Sequence, residues 1–288
     1  MLSKFNLPEK AMTQRPEVDS GGVKRLLVFL LLFAIFLRYA CIWADTFWGA
    51  SLPRIGATGF TAIFAAFSIL HAADVLGWRR ALLFLLICVV VSWGFEVVGV
   101  ATGAVYGNYH YGDALGAKIA GVPFIIPLAW FMMVYASWIV AHILLEGGSN
   151  PQSPTGAFAR ALIASTVMTA WDTVMDPGMA KSGVWTWEKG GAYFGVPFQN
   201  FVGWVATTLT VYLVVAVVFR LVPRRQVHSN TRIYAGLPVL AYVLVALDHL
   251  LVEAIPELHV VAAFGICLVA LLTLLRLTLV RGPIELPD

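Results

Sequence analysis

Charge is what this sequence has least of. Only 12% of its 288 residues are Asp, Glu, Lys or Arg, against about 25% in soluble domains, too few to cover a water-soluble fold with solvated side chains. Cysteine is scarce as well. Cys41, Cys88 and Cys267 all sit in apolar stretches, where an unpaired thiol packs as a small hydrophobe, so neither a disulfide framework nor a Cys-based zinc site is expected. The six histidines, His71, His110, His142, His228, His249 and His259, form no i, i+3 or i, i+4 pairs, which excludes the histidine-rich ligand set of a membrane di-iron oxygenase. No Gly-x-Gly-x-x-Gly turn and no phosphate loop occurs, which leaves no visible nucleotide site. No metal and no cofactor is expected, and a net charge of +3 does not suggest nucleic acid as a partner.

Long apolar runs are what the chain has instead: 60% of its residues are hydrophobic. Stretches of about 17–25 apolar residues are long enough to cross a bilayer as helices. Eight are present, at 26–44, 57–76, 81–104, 122–145, 157–176, 198–221, 234–252 and 258–280. The fold class expected is an all-α integral membrane protein of about eight transmembrane helices. A polar tail, 1–25, precedes one multispan domain, 26–288. The first apolar run is longer than a signal-peptide core and lacks a small-x-small cleavage site, so the tail is read as retained.

Lys4, Lys10, Arg15, Lys24 and Arg25, with Arg79, Arg80, Arg160, Arg220, Arg224, Arg225, Arg232, Arg276 and Arg281, fall on one side if the spans alternate. The positive-inside rule then makes both termini cytoplasmic in a multi-pass cell-membrane protein. Arg38, near the end of the first span, reads as a snorkelling interfacial residue or as an inward-facing partner for a carboxylate. His71 and Asp74 read as interfacial anchors of the second span.

Within the domain, the stretch 92–204 contains one passage written twice. Glu96, Tyr109 and Tyr111 recur as Asp172, Trp185 and Trp187, 76 residues on; Gly121-Val122-Pro123-Phe124 and Trp130 recur as Gly195-Val196-Pro197-Phe198 and Trp204, 74 residues on. The repeat units, about 92–145 and 157–221, each hold an acid-bearing span, a loop rich in glycine and aromatics, and a second span. Both acids lie on odd-numbered spans, so the copies are parallel, related by an axis near the membrane normal, and Glu96 and Asp172 are expected close together.

Glu96, Gly99 and Gly103 share a face, which reads as a flat strip for close approach of another helix. Pro123 reads as the opening turn of the fourth span. Asp176, four residues after Asp172 and just before Pro177, has no counterpart in the first copy; it reads as a third acid of the site or as a helix-end group. Asn200 enters the sixth span.

An acid at membrane depth costs a few kcal/mol and is by default a functional candidate. In apolar surroundings a carboxyl group resists ionisation and can act as an acid near neutrality. If it protonates a carbon–carbon double bond, Trp and Tyr faces stabilise the resulting cation without trapping it. A second carboxylate can then activate water, so the inventory suits acid-catalysed hydration of an alkene. Asp172 is read as the proton donor and Glu96 or Asp176 as the group handling water, with Tyr109, Tyr111, Trp130, Trp171, Trp185, Trp187, Asn200 and Trp204 forming the substrate wall. Set against this, aromatics at loop–membrane junctions are commonly interfacial anchors.

The runs Phe95-Glu96 to Gly103, Tyr106 to Tyr111 and Gly121 to Trp130 resemble those of the CruF-type carotenoid 1,2-hydratases. So do Trp171-Asp172-x-x-Met175-Asp176-Pro177, Trp185-x-Trp187 and Tyr193 to Trp204. The resemblance is specific over about 92–204. It implies addition of water to the C1–C2 double bond of an acyclic ψ-end group, as in lycopene, γ-carotene or a bisanhydrobacterioruberin-like polyene. The partners it implies are a carotenoid drawn from the bilayer and other carotenoid biosynthesis enzymes. A non-catalytic carotenoid or lipid carrier is the alternative, although a carrier has no use for several acids at membrane depth.

Overall fold

In the computed structural model, residues 20–222 and 231–287 are described. Lys4, Lys10 and Arg15 of the tail, and Arg224, Arg225 and His228 of the basic loop, lie outside the described residues. Each apolar stretch forms a helix: α1 (Ser20–Trp48), α2 (Ala57–Leu76), α3 (Trp78–Thr102), α4 (Ile126–Leu144), α5 (Pro154–Lys181) and α6 (Phe198–Leu221). A single turn, α7 (Arg232–Ala235), leads into α8 (Leu237–Val252). The last stretch runs as α9 (Leu258–Val261), a π-helical segment (Ala262–Cys267) and α10 (Leu268–Leu279).

Six of these stretches are long and apolar enough to cross a membrane unaided. The other two differ for physical reasons. The α8 helix has only 16 residues. In contrast, α5 has 28 but carries Arg160, Ser165, Thr169, Asp172 and Asp176, all buried. Enclosure by α4, α6 and α8 lets α5 hold polar groups that lipid would not accept.

At the centre lies α4, packed by α2, α3, α5, α8 and α10 and buried from Trp130 to Ile143. The outer helices turn apolar side chains outward: Phe29, Leu30 and Phe33 on α1, Leu82, Leu86 and Val90 on α3, and Leu271, Leu272 and Leu275 on α10 are exposed. Lipid, unlike water, accepts such a surface without cost.

The two repeat copies meet in the loops. Strands β1 (Tyr109–Tyr111) and β4 (Trp185–Trp187) pair antiparallel, Tyr109 with Trp187, His110 with Thr186 and Tyr111 with Trp185. Because Tyr109 corresponds to Trp185 and Tyr111 to Trp187, this register is the one that a two-fold axis through the strand pair requires. The second boxes match in backbone as well. Ala120 (φ 50°) and Gly121 (φ 80°) link β2 (Lys118–Ile119) to β3 (Val122–Pro123); Phe194 (φ 48°) and Gly195 (φ 88°) link Tyr193 to Val196 in the same way. Left-handed geometry at both central residues is what a tight two-residue hairpin demands.

Several sequence readings change here. Pro123 belongs to β3, so the fourth span opens at Ile126 with Pro127 in its first turn; the hairpin has used the preceding residues. The glycine strip on α3 receives a loop and not a helix. A Cβ on Gly99 would lie 2.8 Å from the Tyr106 ring, and one on Gly203 of α6 2.6 Å from the same ring. Tyr106 is thus wedged between the two helices, its hydroxyl 2.7 Å from Thr207 Oγ1.

Asp176 is not a helix-end group, because α5 runs on through Pro177 to Lys181. His71 and Asp74, near the end of α2, are buried among neighbouring helices. His71 contacts the Tyr135 hydroxyl and the Tyr234 carbonyl, each at 2.8 Å. Asp74 pairs with Lys24 at 3.2 Å and Arg25 at 3.3 Å, both already helical since α1 begins at Ser20. At the same end of the bundle Arg232 grips Glu146 with both guanidinium nitrogens, and Arg276 donates to the Glu146 carbonyl at 2.7 Å.

Candidate active site

The repeated acids sit one on each copy's first helix, and each is held by side chains of its own copy. Glu96 of α3 accepts three hydrogen bonds: from the Tyr109 hydroxyl (2.5 Å) and the Tyr111 hydroxyl (2.8 Å) at Oε2, and from Trp130 Nε1 (2.9 Å) at Oε1. Strand β1 supplies both tyrosines because its residues alternate, so Tyr109 and Tyr111 point to one side and His110 to the other. Burial, and then the neighbouring Glu96, pushes both phenols above their ordinary range. They therefore stay protonated and remain donors.

In the second copy the donors are fewer and the acids are two. Asn200 Nδ2 reaches Asp172 Oδ2 at 3.0 Å and Asp176 Oδ2 at 2.5 Å, and the Trp185 side chain also interacts with Asp176. Asp172 Oδ1 is buried with no N–H or hydroxyl donor. Asp176 lies one helical turn away on the same face, and the two side chains interact. Two carboxyl groups can hydrogen-bond each other only when one carries a proton. Glu96 and Asp176 line one cavity, and Glu96 is near enough for its charge to be felt by both aspartates.

Aromatic rings join the copies above the acids. The equivalent indoles Trp130 and Trp204 stack with centroids 4.2 Å apart and planes 28° apart, and Trp171 meets Trp204 edge-on at 6.1 Å. Tyr109 lies against Trp187 and Tyr111 against Trp185. Trp187 is anchored by its Nε1, which donates to the Tyr106 carbonyl at 2.8 Å.

These groups open on a cavity of about 250 Å³. Glu96, Asp176 and Asn200 line it, as do Tyr109, Tyr111, Trp130, Trp171, Trp185, Trp187 and Trp204. Asp172 does not; it is wholly buried behind Asp176 and Asn200. Tyr106, also on the wall, was absent from the candidate site, although its place in the aromatic loop was visible in the sequence. Arg38, Asp248 and His249 line the wall too. They come from α1 and α8, outside the repeat, and nothing in the local sequence ties those helices to it. Arg38 thus faces inward, with its guanidinium carbon 4.1 Å from the centre of the Phe60 ring. Among the described residues no three His, Cys, Asp or Glu side chains are grouped as a metal ion would need.

Chemically, the cavity presents Asp176, backed by Asp172 with which it can share a proton, a second carboxyl group, Glu96, surrounded by donors, and aromatic faces on the remaining walls. Comparison with known proteins gives this arrangement a context. Residues 56–272 match the family described as carotenoid biosynthesis protein. The bisanhydrobacterioruberin hydratase of Haloarcula japonica is 39% identical over 128 residues, which are 44% of this chain and 42% of that protein. The match therefore spans less than half of that relative's length. No solved structure matches the chain.

Proposed function

The chain belongs to the carotenoid biosynthesis protein family, and on that premise we propose that it is a hydratase. It adds water across the terminal C1–C2 double bond of an acyclic ψ-end group and yields a tertiary 1-hydroxy carotenoid. The observation that carries this reading is an aromatic-walled cavity lined by two buried carboxyl groups, Glu96 and Asp176, with Asp172 buried behind Asp176. Similarity to a bisanhydrobacterioruberin hydratase supports the reaction class.

The proton held between Asp172 and Asp176 passes to C2 through Asp176, the member of the pair on the cavity wall. Asp172, read from sequence as the donor, stands behind it as the partner that shares the proton. The electron pair of the double bond forms the new C–H bond and leaves the positive charge on tertiary C1. The indole and phenol faces of Trp130, Trp204 and Tyr106 stabilise that charge. Water adds its oxygen to C1 and gives up a proton to Glu96, whose three donors suit its ionised form. The proton returns from Glu96 to the aspartate pair, so each turnover consumes one alkene and one water. A cavity of about 250 Å³ takes an end group and leaves the rest of the polyene in the bilayer, from which it enters sideways. Other enzymes of carotenoid synthesis act before or after on the same membrane-held chain.

The cell membrane is the location we propose, with both termini cytoplasmic and the aromatic loops external. The grouping of Arg80, Arg160, Arg232 and Arg276 away from those loops supports that orientation. Expression in a lycopene-producing bacterium, with mass analysis of the pigments, tests the function: the product is heavier by one water per hydrated end. Oxygen-18-labelled water must place its label at C1, and the yield must be the same without dioxygen. A hydroxyl oxygen drawn from dioxygen would remove the hydratase reading.

A further inference from the structure

The cavity has a second polar pole, and the hydration chemistry leaves it unused. Arg38 of α1 and Asp248 of α8 both line the wall. Asp248 accepts from Trp43 Nε1 through Oδ1 at 3.0 Å, which leaves its other oxygen without a donor from the described residues. Arg38 packs its guanidinium on the Phe60 and Tyr39 rings but makes no hydrogen bond within the described residues, and its Nε is buried without a partner. The two groups are close enough to interact electrostatically, yet they form no direct ion pair. In an apolar wall a guanidinium whose buried Nε lacks an acceptor, beside a half-satisfied carboxylate, is costly.

We propose that Arg38 and Asp248 form a hydroxyl-binding pole, which takes an O–H group that accepts from the guanidinium and donates to the carboxylate. The pairing selects for this chemistry. A carboxylate or phosphate ligand would be repelled by Asp248, and an ether or keto oxygen would leave Asp248 without a donor. The inference rests on the hydratase reading for the other pole. Both poles line one cavity of about 250 Å³, so a bound hydroxyl and the reacting double bond belong to the same end group. Two sources fit the chemistry: a hydroxyl already carried by the polyene a few carbons from its terminal double bond, or water held on its way to C1. The first makes the enzyme a second-step hydratase that follows an oxygen-introducing or alcohol-forming reaction.

The test uses the full chain in detergent or lipid with two probes, lycopene and an acyclic polyene alcohol bearing a hydroxyl within a few carbons of an intact terminal double bond. Binding is read from the shift in polyene absorption, and turnover is measured separately, in the wild type, Arg38→Met and Asp248→Asn. A hydroxyl on the polyene predicts that both variants weaken binding of the alcohol by about tenfold, the loss of one hydrogen bond to a charged group, and leave lycopene binding unchanged. A water site predicts unchanged binding of both probes and a lower kcat on whichever of them is hydrated. Variants that keep wild-type binding of both probes and wild-type kcat overturn the proposal. The binding arm reads out even if neither probe is hydrated, a result that removes the hydratase reading and leaves the pole to be judged by itself. Asp248→Asn preserves side-chain shape and serves as the arm if Arg38→Met fails to fold.

Discussion

In the proposed mechanism Asp176 is the side chain on which the chemistry turns, since it is the member of the aspartate pair that reaches the cavity. Asp176→Asn keeps the contact with Asn200 but cannot deliver a proton, and turnover is expected to fall about 10²–10⁴-fold with pigment binding retained. Asp172→Asn should fall as far if the two share one proton. A much larger loss at Asp172 than at Asp176 would return the donor role to Asp172. Tyr109→Phe and Tyr111→Phe each remove one donor from Glu96. Each should slow turnover about 10–100-fold, the worth of a hydrogen bond to a charged group, and purified variants assayed side by side show whether the pair exceeds either alone. Glycine contacts permit a stability comparison too. A Cβ on Gly203 meets the Val105 carbonyl at 2.6 Å, and since backbone cannot step aside, Gly203→Ala should cost about 1–3 kcal/mol. Gly94→Ala, with nothing within 4 Å, should be neutral or mildly stabilising in an exposed helix position. Thermal unfolding in detergent separates the two.

Among the helices, α5 depends on its neighbours as no other long one does. Each Asp inside a span costs about 2.5–3.5 kcal/mol against insertion, and α5 has two. Tested as isolated segments in a translocon insertion assay, α6 should insert and α5 should not, and Asp172→Leu with Asp176→Leu together should restore insertion. Efficient insertion of wild-type α5 would contradict the view that enclosure by α4, α6 and α8 sustains its polarity. The β1–β4 pair has the opposite character, being only three residues on each side. It orients side chains and adds little stability. A Cβ on Gly112 would press on the Gly183 carbonyl at 2.4 Å, so Gly112→Ala should part the strands and reduce activity well before it unfolds the bundle, which unfolding curves and turnover measured together can show.

For the whole molecule, the proposed eight spans would put both termini on one side, and the arginine-rich end is expected to be cytoplasmic. Cysteine labelling in intact cells checks this: a residue placed at Lys189 should react with an impermeant reagent from outside, and labelling from the cytoplasmic side alone would invert the orientation. The membrane class, the helical stretches, the parallel duplication and the three acids were legible in the sequence, because apolar length, charge scarcity and repeat spacing are local or one-dimensional properties. The pairing of Tyr109 with Trp187, the stacking of Trp130 on Trp204, and the convergence of Tyr109, Tyr111 and Trp130 on Glu96 were decided only in three dimensions. Each depends on where two distant segments meet, and many partners could satisfy a buried donor or ring. Pro123 shows the same limit on a smaller scale: its helical reading gave way to a hairpin set by left-handed Ala120 and Gly121, a conformation that alanine rarely adopts unless its surroundings impose it. Arg38 and Asp248, 210 positions apart and outside the repeat, share a cavity wall only because α1 and α8 pack side by side, and no periodicity along the chain records that contact.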